Sequence, residues 1–106
     1  MELREHLDER GRSPFRVWFK ALDATAAARV QRALTRLEVG HESHIKGVGA
    51  GVFELKIDFG PGYRVYFGKD GNEIVILLGG GTKKRQHSDI RVAHDHWQNY
   101  KRRKKV

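Results

Sequence analysis

The chain has 106 residues, 39% of them hydrophobic, 32% charged and 9% aromatic, and no cysteine. That size fits one domain with one core, and the lack of cysteine excludes disulfides, thiolate metal sites and a cysteine nucleophile. The net charge of +8 is concentrated: residues 83–106 hold nine basic side chains and two acidic ones. Such a block attracts polyanions such as nucleic-acid phosphates. No apolar run is long enough to span a bilayer, and the charged opening MELREHLDER is unlike a signal peptide. The expectation is a cytoplasmic protein without a membrane partner.

In chain order, Leu3 and Leu7 among charges suggest an edge strand within residues 1–9. Ser13 and Pro14 form a helix start, followed by Phe15, Trp18, Phe19 and Leu22 at helical spacing. Asp23 opens a second helix with Ala26, Ala27, Val30, Ala33, Leu34 and Leu37 on its apolar face and Arg29, Arg32 and Arg36 on its other sides. Gly40 stands where such a helix stops. Residues 41–51 read as a loop.

The period then changes to two. Phe53, Leu55, Ile57 and Phe59 alternate with Glu54, Lys56 and Asp58, and after Gly60-Pro61-Gly62 the residues Tyr63, Val65 and Phe67 alternate with Arg64 and Tyr66. Asp70-Gly71 marks a hairpin turn into the apolar run Ile74–Leu78, a strand covered on both faces, which Gly79-Gly80-Gly81 ends. A last helix spans about Lys84 to Tyr100, with Ile90, Ala93, Trp97 and Tyr100 on one face and a solvated basic tail at about 101–106. The expected fold is a single α+β domain of order β-α-α-β-β-β-α over residues 1–106. It has an antiparallel-dominated four-stranded sheet, a helical hairpin on one face and a C-terminal helix.

The strand face opposite the hairpin is expected to be open and to present Glu54, Lys56, Asp58, Arg64 and Tyr66, with the last helix bringing Lys83, Lys84, Gln86 and His87 to its rim. Two cations, a phenol and a basic helix start suit an RNA phosphate. The cations would offset charge on a phosphorane, and a Lys, Glu, Tyr or His would move the proton of a 2′-hydroxyl or of the leaving 5′-oxygen. Alternating charges also describe any solvent-facing sheet, so spacing alone does not select a site. Gly79–Lys83 lacks the spacing of a phosphate loop. His41, His44, His94 and His96 have neither the spacing nor the partners of a metal site and read as surface histidines; neither metal nor cofactor is expected. Trp18 and Trp97 fall on apolar stripes and read as core.

The stretches Gly51–Ile57, Gly60–Phe67 and Leu77–Lys83, followed by Gln86, Asp89, Ile90 and Ala93, together resemble the RelE/ParE superfamily of toxin–antitoxin toxins. The nearest branch is similar to the phage-derived Gp49-like, HigB-like addiction-module killer group. The resemblance implies a ribosome-dependent endoribonuclease that cleaves mRNA by 2′-hydroxyl attack without a metal. Its implied partners are the ribosome with its mRNA, a helix-turn-helix antitoxin, and operator DNA contacted through the antitoxin complex. Carried over, it makes Lys56, Arg64, Lys83 and His87 the catalytic candidates and Glu54, Tyr66, Lys84, Arg85 and Gln86 the RNA-binding ones. The C-terminal tyrosine or arginine with which RelE-type nucleases orient the nucleotide has no counterpart here. The alternative expectation is therefore a ParE-like inhibitor of DNA gyrase without nuclease chemistry.

Overall fold

Ser13 and Asp23 open two helices as their positions predict. In the structure, a computed structural model that describes residues 1–104, the Ser13 hydroxyl accepts from the Arg16 N–H at 3.0 Å and starts α1 (Pro14–Lys20). The Asp23 carboxylate accepts from the Ala26 N–H at 2.8 Å and starts α2 (Ala24–Glu38). Each cap satisfies an N–H that the first helical turn leaves unpaired. At the other end Gly40 takes φ 88°, a left-handed conformation that costs glycine little, and the chain turns there to leave α2.

Five strands follow one sheet order, β1-β5-β4-β3-β2. They are β1 (Glu2–Glu5), β2 (Ile45–Gly47), β3 (Val52–Ile57), β4 (Tyr63–Asp70) and β5 (Ile74–Thr82). β1 runs parallel to β5 and every other pair is antiparallel. The expected four strands are thus five, because β2 lies inside the segment read as a loop. β5 also runs through Gly79–Gly81 instead of ending there, with a register shift beside Tyr66 and Phe67. Those glycines are needed for approach: the Trp18 ring lies over Gly80 and the Asp89 carboxylate over Gly81, where a β-carbon would collide with either. A 3₁₀ turn (Lys83–Arg85) then leads into α3 (Gln86–Lys104).

Both faces of the sheet are covered. On one, Phe15 of α1 and Val30, Leu34 and Leu37 of α2 pack on Leu55, Ile57, Val65, Phe67, Val75 and Leu77, as the alternation predicts. On the other, Ala93 and Trp97 of α3 pack on Val52, Tyr66, Ile76 and Leu78. Trp97 lies flat on the backbone of Gly68, where an added β-carbon would stand 2.5 Å from the ring. The face expected to be open is therefore largely closed by α3. The helix also continues through the residues read as a tail: Lys101–Lys104 are helical, Lys104 pairs with Asp70, and the Arg103 guanidinium donates to the Leu7 carbonyl at 2.6 Å. Lys105 and the last position of the basic block lie outside the described residues. No helix among the described residues is long and apolar enough to cross a membrane.

His6, just past β1, is 2% exposed beneath α3, its ring 5.2 Å from that of His96 and its Nε2 without a partner. Both histidines form part of the seam between β1 and α3, and His94, half-buried, meets the Val48 carbonyl at 3.0 Å, so neither His94 nor His96 is the free surface group the spacing suggests. Burial above all, then the charges of His96 and Arg103, pulls the His6 pKa down to about 4. An unfolded chain would bind that proton from near pH 6.5 downward, so the stability held by neutral His6 is complete above that pH and is lost as the pH falls from 6.5 towards 4. The unfolding temperature is expected to drop measurably between pH 7.5 and pH 5, and a His6→Phe variant is expected to flatten that slope; equal slopes would contradict this role.

Candidate nucleic-acid interface

Period two puts Glu54 and Lys56 of β3, with Arg64 and Tyr66 of β4, on the α3 side of the sheet. The antiparallel register sets Lys56 opposite Arg64, Glu54 opposite Tyr66, and Lys46 of β2 opposite Glu54. Expectation and structure part over exposure. Arg64 is 5% exposed, Glu54 2% and Tyr66 1%, because the start of α3 lies across them. A buried carboxylate needs compensation, and three groups supply it. The Gln86 amide donates to Glu54 Oε1 at 2.7 Å, Arg64 Nε stands 3.3 Å from the same oxygen, and Lys46 Nζ is 3.7 Å from Oε2. The Arg64 Nε–H is not aligned for a hydrogen bond to that oxygen, so the contact is one of charge.

The other end of the guanidinium is fixed by the Gly60-Pro61-Gly62 turn. Arg64 Nη1 donates to the Gly62 carbonyl at 3.1 Å, and the Lys83 backbone N–H donates to the same oxygen at 2.9 Å. One carbonyl thus anchors Arg64 and the strand-to-helix junction together. Lys83 is held by its backbone, and its side chain stays exposed.

Beside this knot the sheet is uncovered, and a recess of about 290 Å³ is lined by His44, Lys46, Glu54, Lys56 and Arg64. Lys46, Lys56 and His44 are exposed walls; Glu54 and Arg64 are buried at its base. With Glu54 compensated by its three neighbours, the recess offers cationic donors to an anion.

The structure brings Lys56, Arg64 and Glu54 into one recess, with Gln86 bound to Glu54 at its base; Lys83 joins them through its backbone N–H on the Gly62 carbonyl, and its side chain lines neither recess. It leaves others apart: Lys84, Arg85 and His87 are exposed on the 3₁₀ turn and the first turn of α3 and line none of the recesses described. Gln86 faces inward to Glu54. The Tyr66 hydroxyl is enclosed without a partner, and burial, then the charges of Glu54 and Asp89, raise its pKa far above the usual phenol value. Asp89, seated on Gly81, is likewise pushed up by burial against a smaller opposing pull from Arg85. His44, Ile45 and Lys46 line the recess, and the sequence does not place them at the site. Strand β2, which begins at Ile45 directly after His44, has one apolar residue and no detectable period, so nothing in the sequence pairs this segment with β3. Among the described residues no group of three or more histidine, aspartate or glutamate side chains is disposed to hold a metal ion.

Comparison with known proteins adds two likenesses. The family described as phage-derived protein Gp49-like matches residues 17–104, a span that runs from within α1 through α2, the recess and α3. An uncharacterized protein of Haemophilus influenzae (strain Rd) is 42% identical over 80 residues, which is 74% of this chain and 81% of that protein.

Proposed function

The chain belongs to the Gp49-like family of phage-derived proteins, a family of addiction-module toxins, and on that premise we propose that it is a toxin that cuts mRNA at the ribosome without a metal ion. The observation that carries this reading is the recess in which buried Arg64 is joined by Lys46, Lys56 and His44, with Lys83 tied to Arg64 through the Gly62 carbonyl. A phosphodiester seated there meets cations on several sides.

In the reaction, the 2′-oxygen forms a bond to the adjacent phosphorus, and the bond from phosphorus to the 5′-oxygen breaks. The proton of the 2′-hydroxyl goes to a base and an acid returns one to the 5′-oxygen. The products are a 2′,3′-cyclic phosphate and a 5′-hydroxyl. In this reading Arg64, with Lys83 reaching in from the adjoining junction, offsets the charge that builds on the non-bridging oxygens, and in a site partly shielded from water such contacts are worth more than in bulk. Lys56 and His44 are the wall groups available for proton transfer, imidazole being the commonest carrier near neutral pH. Tyr66 is 1% exposed with its hydroxyl enclosed and does not line the recess, so proton transfer is assigned to the wall groups. The ribosome as platform and a helix-turn-helix antitoxin as inhibitor rest on the family likeness.

Induced expression followed by pulse-labelling tests the reading. Protein synthesis is expected to stop within minutes, with transcripts cut inside their coding regions. Intact transcripts together with a DNA-damage response would replace it by the gyrase-inhibitor reading.

A further inference from the structure

A second recess, of about 230 Å³, lies around the edge of the sheet, between α2 and the end of β3. Arg29, Arg32 and Arg36 line one wall at i, i+3 and i+7, so one face of α2 carries all three along roughly 10 Å of helix. Lys56 and Phe59 stand opposite, and the Arg29 guanidinium lies 4.5 Å above the Phe59 ring. Among the described residues none of the three arginines forms an ion pair, although six such pairs occur elsewhere, and the one acid in the lining is Asp58. Three arginines and Lys56 facing a groove whose lining holds one acid, Asp58, make a cationic trough with an aromatic wall. That combination suits phosphates and the bases they carry.

The two recesses are joined. His44 and Lys56 line both. His44 takes φ 68°, a left-handed conformation uncommon for a residue with a β-carbon, and its carbonyl accepts from the Lys56 N–H at 3.0 Å. The backbone pivots there, just before β2 begins, so on its β2 side the end of β3 has no neighbouring strand beyond this bond. The edge is therefore passable from one face of the sheet to the other.

We infer that the arginine trough of α2 is a second phosphodiester-binding site, which holds nucleotides flanking the scissile one on the same single RNA strand, led around the β3 edge past His44. This deepens the nuclease reading and rests on it. Charge complementarity requires a polyanion, and the Phe59 wall together with continuity with the Arg64 recess selects RNA over an acidic protein segment.

Fluorescence anisotropy with fully 2′-O-methylated oligonucleotides, which the protein cannot cut, tests the inference on the whole chain. The wild type is compared with a R29Q/R32Q/R36Q variant, in which glutamine keeps helix-forming stems. The wild type is expected to bind a nonanucleotide more tightly than a trinucleotide. The variant is expected to lose about 10- to 100-fold for the nonanucleotide, with little change for the trinucleotide, and its slope of log affinity against log salt is expected to fall by about 2, some 0.7 for each phosphate released. Unchanged nonanucleotide affinity in a variant that still binds the trinucleotide would overturn the second site and leave the Arg64 recess standing. No binding of either oligonucleotide by the wild type would remove both. Loss of polyglutamate binding with RNA affinity intact would assign the trough to an acidic protein partner and overturn the inference as well.

Discussion

Replacing Lys56 and Lys83 together by alanine is expected to abolish growth arrest while leaving the protein folded. Both side chains are exposed, neither makes an ion pair among the described residues, and Lys83 is held through its backbone N–H, which alanine retains. Exposed lysines without partners contribute little to stability, so the unfolding temperature should move by no more than a few degrees. The functional cost is of another size. A group that moves a proton in the transition state is worth about 10²- to 10⁴-fold, and a donor to developing oxyanion charge about 10²- to 10³-fold. The double variant should therefore lose at least about 10³-fold in RNA cleavage in a translating extract. Cleavage within about tenfold of wild type by a folded variant would sink the proposed site.

Arg64→Ala is expected to have the largest effect on stability, and for a reason separate from catalysis. Glu54, at 2% exposure, would lose its nearest cation, leaving it with the Gln86 amide and the more distant Lys46. Removing one partner of a buried pair costs about 3–5 kcal/mol. For a domain of this length that is a fall in unfolding temperature of more than about 10 °C. A Glu54→Gln/Arg64→Ala double variant removes the stranded charge and should recover part of the loss, which urea unfolding of the two variants and the wild type would measure. Equal stability of the single variant and wild type would mean that the pair is not the clasp described here. It follows that lost toxicity in Arg64→Ala alone is ambiguous, and that the lysine pair carries the functional test.

The helical hairpin was legible in the sequence because its signals are local. Ser13 and Asp23 are caps with one main use, and the apolar stripes of both helices match their buried faces. The covering of the second sheet face was half legible. The run Ile74–Leu78 reads as a strand buried on both sides, which already requires something over the face that Glu54, Arg64 and Tyr66 share. The stripe Ile90, Ala93, Trp97 and Tyr100 is what covers it, but nothing local says where a helix docks. Glycine misleads at Gly79–Gly81, where it permits the approach of Trp18 and Asp89 instead of ending the strand. β2 left no trace because three residues with one apolar side chain cannot display a period, and His44 and Lys46 went unseen with it.

The proposed nuclease site is one cationic recess, lined by Arg64, Lys56, Lys46 and His44 beside the Lys83 junction, that promotes attack by a 2′-hydroxyl. The chemistry of the RNA ends produced by the purified protein on translating ribosomes tests it most directly. Upstream fragments are expected to end in a 2′,3′-cyclic phosphate and downstream fragments to begin with a 5′-hydroxyl. Fragments with 3′-hydroxyl and 5′-phosphate ends, or mRNA left whole, would contradict it.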